Sequence, residues 1–221
     1  MIFDDFRYSH IASPPWISEI SEDFENMIVF ILIGAYQLMK LEKRFDRRWH
    51  ETRFSAVLIG YMRIISDREK LRLLIYPEQY LYNEEILNGN EDPDTAPRID
   101  ICTKSPWMKE NVYYGVEGKI LVENNWGTRR ASDLRRRYVD TGIKNFISER
   151  YGNGLIAGYV VEGNPINIIY QINRLLKHRK FSDDQMIKKH TSVDSFSDHY
   201  ISLHPNSRTI RIRHLLLNFT M

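Results

Sequence analysis

The sequence predicts a mixed α/β domain with a helical N-terminal region. Two observations carry this. Apolar residues recur at helical spacing through the first third of the chain, and short strand-type runs then take over before helix-type and strand-type runs alternate to the end. At 43% apolar content, a chain of 221 residues can form a packed core.

Pro14-Pro15 breaks the first segment, and Ser18 or Ser21 is placed to cap a helix over 22–48. Its apolar stripe is Phe24, Met27, Ile28, Ile31, Leu32, Ala35, Leu38 and Met39, and Lys40, Lys43, Arg44, Arg47 and Arg48 suit a helix C-terminus. The most apolar run, 27–39, falls short of the ~20 residues that span a bilayer, so a buried helix and no membrane are expected. The opening Met1-Ile2-Phe3-Asp4-Asp5 is acidic and unlike a signal peptide. A second helix over 51–66 has the stripe Phe54, Val57, Leu58, Tyr61, Met62 and Ile65. Glu51 lies three residues before Phe54 on the core-facing side, where a carboxylate needs a partner.

A strand is expected over 71–76 and an acidic, Asn- and Gly-rich loop over 83–96. Strands follow over 98–103 and 112–122, and a polar loop over 124–130. The segment 131–151 reads as a helix opened by Ser132 or Asp133, with Val139, Ile143, Phe146 and Ile147 on its apolar side. Then come a buried strand over 154–161, a helix over 166–177 and a polar connector over 181–194. Two strands, 199–204 and 209–219, close the chain as a hairpin through Pro205-Asn206-Ser207. The expected organisation is an N-terminal helical extension, 1–50, packed on a main domain, 51–221.

The formal charge of +2 is no global polycation, so any nucleic-acid footprint must come from local clustering. A single cysteine, Cys102, excludes an intrachain disulfide and a cysteine-based zinc site, and fits a cytoplasmic protein. Cys102 reads as a small buried residue.

The chemistry concentrates in two strand-like segments, Pro97-Arg98-Ile99-Asp100-Ile101 and Tyr113-Tyr114-Gly115-Val116-Glu117-Gly118-Lys119-Ile120-Leu121. Strand alternation puts Glu117 and Lys119 on one face. If the two strands pair, Asp100 and Glu117 meet, and two carboxylates repel unless a cation lies between them. Hard oxygen ligands favour Mg²⁺ or Mn²⁺. Gly118 lets the backbone approach closely, and its carbonyl is a further candidate ligand. Lys119 is placed to stabilise charge on a phosphate. The bland reading of the trio is a cross-strand salt bridge, and that of Glu51 a charge at a helix N-terminus.

These residues resemble the PD-(D/E)XK nuclease superfamily. Asp100 matches the first acid of its motif and Glu117-Gly118-Lys119 its E-x-K, with Ile99 where the motif has Pro. The resemblance covers roughly 51–176 and implies a restriction-endonuclease-like αβββαβ core with a mixed central sheet, here with an extra N-terminal helix and a C-terminal hairpin. It further implies Asp100, Glu117 and Lys119 as catalytic residues, Glu51, Asp100, Glu117 and Gly118 as holders of Mg²⁺ or Mn²⁺, and cleavage of DNA. Arg129, Arg130, Arg135 and Arg136 would then contact phosphates and Tyr138 would line the cleft; a solvated helix face and core packing are the alternatives. Tyr138-x-x-x-Gly142-Ile143-x-x-Phe146-Ile147, Ala157-Gly158-Tyr159-Val160 and Ser202-x-His204 look like bacterial defence-associated, restriction-like proteins, which implies an anti-phage effector working with a companion protein. His204 could shift a proton or contact a phosphate; a satisfied structural histidine is the competing reading. A homodimer would set two sites on opposite strands. A catalytically silent module that grips nucleic acid or a partner is the alternative to an enzyme.

Overall fold

The computed structural model describes residues 20–220, apart from 83, 91, 110–111, 149, 194–195 and 206–208. The expected break at Pro14-Pro15 lies outside the described residues, as does most of the Pro205-Asn206-Ser207 turn. The elements are α1 (Glu22–Leu41), α2 (Glu51–Arg68), β1 (Leu74–Tyr80), α3 (Glu84–Leu87), β2 (Arg98–Lys104), β3 (Tyr114–Val122), α4 (Ala131–Arg137), α5 (Lys144–Ile147), β4 (Asn153–Glu162), α6 (Pro165–His178), β5 (Lys188–Lys189), β6 (His199–His204) and β7 (Ile210–Asn218). A π-helical turn, Tyr138–Ile143, joins α4 to α5.

Departures from the sequence expectation have local causes. Ser21 does cap α1, its side chain accepting from Phe24 N–H. The helix ends at Leu41 rather than 48 because Lys43 turns left-handed at φ 53. Arg72, at φ 51, likewise delays the first strand to Leu74. The helix expected over 131–151 starts after Arg130, without a side-chain cap from Ser132 or Asp133, and takes one π turn.

The seven strands form one mixed sheet in the order β1-β2-β3-β4-β7-β6-β5. β3–β4 and β4–β7 run parallel and the other pairs antiparallel. One apolar cluster joins α1 and α2 to one face of the sheet, through residues such as Ile31, Leu32, Phe54, Tyr114, Val116 and Phe219. A second joins the π turn, α5 and α6 to the other face, through Leu121, Ile156, Ile168 and Ile172. The result is a three-layer α/β/α sandwich. By length and composition α1 is apolar enough to cross a membrane, but half of that window is buried within the protein against α2 and the sheet.

Between β6, β7 and the π turn lies a buried polar chain. The Tyr138 hydroxyl is 2.8 Å from His214 Nδ1, and Ser202 Oγ is 2.8 Å from both His214 Nε2 and His204 Nε2. One consistent assignment runs one way: Tyr138 donates to His214, His214 to Ser202, and Ser202 to His204. His204 Nδ1 ends the chain buried and without a partner. Both imidazoles must therefore be neutral, and burial pulls their pKa values down, to about 4 for His204 and about 3 for His214.

A histidine whose folded pKa is depressed contributes stability that is complete above its unfolded value and is lost as pH falls towards the folded one. Chemical unfolding is therefore expected to show falling stability between pH 6.5 and about 4. His204→Gln should flatten that slope by roughly one proton's worth, about 1.4 kcal/mol per pH unit. Parallel pH profiles for the two proteins would contradict the neutral, buried assignment.

Candidate active site

The site is made where two strands part. β2 and β3 pair from Thr103↔Tyr114 to Ile101↔Val116, and no further. β3 continues to Val122 with β4 along its other edge. Its edge beyond Val116 is thus left with backbone donors facing no strand, an arrangement that costs free energy unless other groups accept from them. Two carboxylates do so. Asp100 Oδ2 accepts from Gly118 N–H at 2.6 Å, and Glu51 Oε1, from the first turn of α2, accepts from Ile120 N–H at 3.0 Å. In an extended strand a residue's N–H and C=O project to the same edge, so the Gly118 carbonyl faces this gap as well.

Glu117 and Lys119 leave the adjoining face of β3 and pair with each other. Each is only 5% exposed, so both charges have been taken out of water. Burial raises the Glu117 pKa to about 7 against the pull of Lys119, and the Asp100 carboxylate adds to the rise. Asp100 is itself raised, first by burial, with Glu51 and Glu78 contributing. Asp100 thus feels the Glu51 carboxylate, and Glu117 feels that of Asp100, although the strand pairing expected to bring Asp100 and Glu117 together stops at Ile101↔Val116.

Glu117 Oε2 is buried and has no hydrogen-bond partner. A buried carboxylate oxygen without a donor, under the electrostatic influence of a second carboxylate, suits a hard divalent cation. As they stand, Glu117 is paired with Lys119 and Glu51 Oε2 with Arg137 at 2.9 Å, and among the described residues no group of three or more His, Cys, Asp and Glu side chains is gathered as a metal cluster. A cation would have to draw on Asp100, Glu117, Glu51 and the Gly118 carbonyl by displacing one of these cationic partners.

The arginines divide. Arg129 is a structural staple: it donates to the carbonyls of Arg47, Arg48 and Trp49 and lies over the Trp126 ring. Three of its five N–H donors are held by these carbonyls, which fixes the guanidinium between the end of the α1–α2 connection and Trp126. Arg135 donates to the Glu123 carbonyl, and Arg136 pairs with Asp133. Arg130 is exposed. Tyr138 does not line a cleft; it is fully buried in the polar chain with His214. The fragments that resemble defence proteins converge there, since Tyr138 and Ser202–His204 are members of that chain.

Sequence reasoning missed three supports. Tyr159, in the tetrapeptide 157–160, stacks on Phe54 and shares a 2.8 Å hydrogen bond with Ser55 beneath Gly118. Tyr151 borders Glu117 and donates to the Arg98 carbonyl at 2.9 Å. Arg137 reaches back to Glu51. Arg137 adjoins Tyr138 in the sequence, but nothing there signals a contact with a carboxylate 86 residues away.

Compared with family models, with curated proteins and with solved structures, the chain matches none.

A side chain at Gly118 would meet Tyr159 at 2.8 Å and Asp100 Oδ2 at 3.1 Å. Gly118→Ala is expected to cost about 1–3 kcal/mol, as overpacking does, and to displace Asp100. Gly60→Ala, in α2 with nothing within 4 Å, should instead be neutral or stabilising. Denaturant midpoints of the two variants test this; equal midpoints would show that the Gly118 contact yields freely.

Proposed function

We propose that the protein is a metal-dependent phosphodiesterase that cuts DNA as an endonuclease. The observation that carries this is the convergence of Asp100, Glu51, the Gly118 backbone and a buried, unpartnered Glu117 Oε2 beside Lys119 at the open edge of β3. The resemblance to the PD-(D/E)XK nucleases supports it through the motif Asp100…Glu117-Gly118-Lys119 and through the element order α2-β1-β2-β3-α4-β4.

Asp100, Glu117, Glu51 and the Gly118 carbonyl would hold Mg²⁺ or Mn²⁺, and such a cation, when bound, supplies a Lewis acid that activates water and orients a phosphate. Lys119, released from Glu117, presents an ammonium to the phosphate oxygens and stabilises the negative charge that grows on them. Arg137 neutralises Glu51 until substrate arrives and is then placed to bind a backbone phosphate. Arg130, Arg135 and Arg136 extend that contact along α4. The cytoplasm is the compartment this reading places it in, and the second resemblance supports a bacterial defence effector with DNA, a companion protein and a second copy of the chain as partners.

A second reading, a catalytically silent module of the same architecture, is favoured by the present pairing of Glu117 with Lys119 and of Glu51 with Arg137.

Plasmid cleavage with Mg²⁺ or Mn²⁺ separates them. Wild type is expected to cut, EDTA to stop it, and Glu117→Gln and Lys119→Ala each to lower the rate by about 10²-fold or more. DNA binding that needs no metal, with no cutting by wild type, would establish the silent module instead.

A further inference from the structure

Beside the open edge of β3 the end of the β1–β2 hairpin carries an aromatic stack that the core does not use. The rings of Tyr80 and Tyr82 lie 6.0 Å apart with an interplanar angle of 15°. They are 47% and 50% exposed, so open ring face remains. Arg98, the cross-strand partner of Tyr80, sits over the Tyr80 ring at 5.5 Å. Two exposed, parallel tyrosines leave apolar area in water that burial elsewhere could have removed. Tyr80 ends β1 and Arg98 begins β2, two residues and about 7 Å of strand before Asp100.

We infer that Tyr80 and Tyr82 form a stacking platform for an unpaired base of the nucleic acid held at Asp100 and Glu117, so that the substrate is single-stranded or carries an unpaired stretch at the site. This rests on the nuclease reading for its substrate class. A strand whose phosphate lies at Asp100 brings a neighbouring base to the distance of Arg98. Aromatic side chains bind such bases by their faces, without regard to sequence. In a duplex those faces are already covered by neighbouring base pairs.

The charges nearby select the base rather than the phosphate. Glu78 lies 4.0 Å from Arg98. A carboxylate there repels a backbone phosphate but tolerates a neutral ring system, and Arg98 adds a cation–π partner to the stack. The phosphate-binding groups named above lie instead on β3, with Lys119, and at the start of and along α4, with Arg130, Arg135, Arg136 and Arg137.

The test is fluorescence anisotropy with a labelled oligothymidylate and, separately, with the same strand annealed to its complement, both in EDTA. Because no cutting occurs there, the titration reads binding alone, while the cleavage assay with Glu117→Gln reads the nuclease assignment; either can fail without the other. Wild type is expected to hold the single strand more tightly than the duplex. Tyr80→Ala and Tyr82→Ala should each weaken single-strand binding by about 5- to 100-fold, the range for loss of one base stack, with little change for the duplex. Tyr80→Phe and Tyr82→Phe should restore it, since the ring and not the hydroxyl does the stacking. Single-strand affinities unchanged by the alanine variants, or duplex and single strand weakened alike, would overturn the proposal.

Discussion

The parting of β2 from β3 after Ile101↔Val116 is the constraint from which the rest of the site follows. A strand that loses its neighbour in mid-sheet exposes donors and acceptors that must be satisfied. Here they are met by side chains and not by another strand, and the side chains are carboxylates. Asp100 and Glu51 come from different elements, yet both end on the same edge of β3 because Gly118 and Ile120 present N–H groups there, two residues apart. The backbone thus fixes the carboxylates in place before any ligand is present. That is preorganisation: the groups are oriented by folding, and a ligand need not order them. Gly118 has to be glycine because the Tyr159 ring and the Asp100 carboxylate both close on it.

The Glu117–Lys119 pair belongs to the same geometry but works against stability. Burying two charges costs more than their attraction returns unless hydrogen bonds satisfy what remains, and Glu117 Oε2 is left unsatisfied. The rise of the Glu117 pKa to about 7 records that cost. Replacing a buried ion pair by a hydrophobic pair of the same size is often neutral or stabilising. Lys119 supplies the positive charge beside the Glu117 carboxylate. Arg137 does the same for Glu51.

Much of this was legible in the sequence, and the part that was not has physical causes. The helix stripe around Ile31 and Leu32, the β2 and β3 strands and the terminal hairpin all follow from periodicity, because burial on one face imposes it. The sharing of one face by Glu117 and Lys119 needed only strand alternation. Boundaries failed where single residues such as Lys43 and Arg72 adopt left-handed backbone without being glycine. Tyr138 was misplaced for a related reason. Composition shows that a residue can contact a phosphate, but only tertiary packing shows that the Tyr138 hydroxyl is buried against His214, or that three Arg129 donors are held by Arg47, Arg48 and Trp49.

The same distinction separates the two faces of the sheet. On the α5–α6 face the buried polar chain from Tyr138 to His204 is closed to solvent, so its groups can specify packing and cannot exchange protons with a substrate. On the edge between β2 and β3, Asp100 remains partly exposed and the neighbouring Tyr80 and Tyr82 are half open. Polar groups that are dry and bonded to one another in a chain hold a fold in one arrangement; polar groups that are partly wet and flanked by exposed aromatics are open to other contacts. The chain contains one set of each kind, and the second lies where a strand has been withdrawn from the sheet to make room.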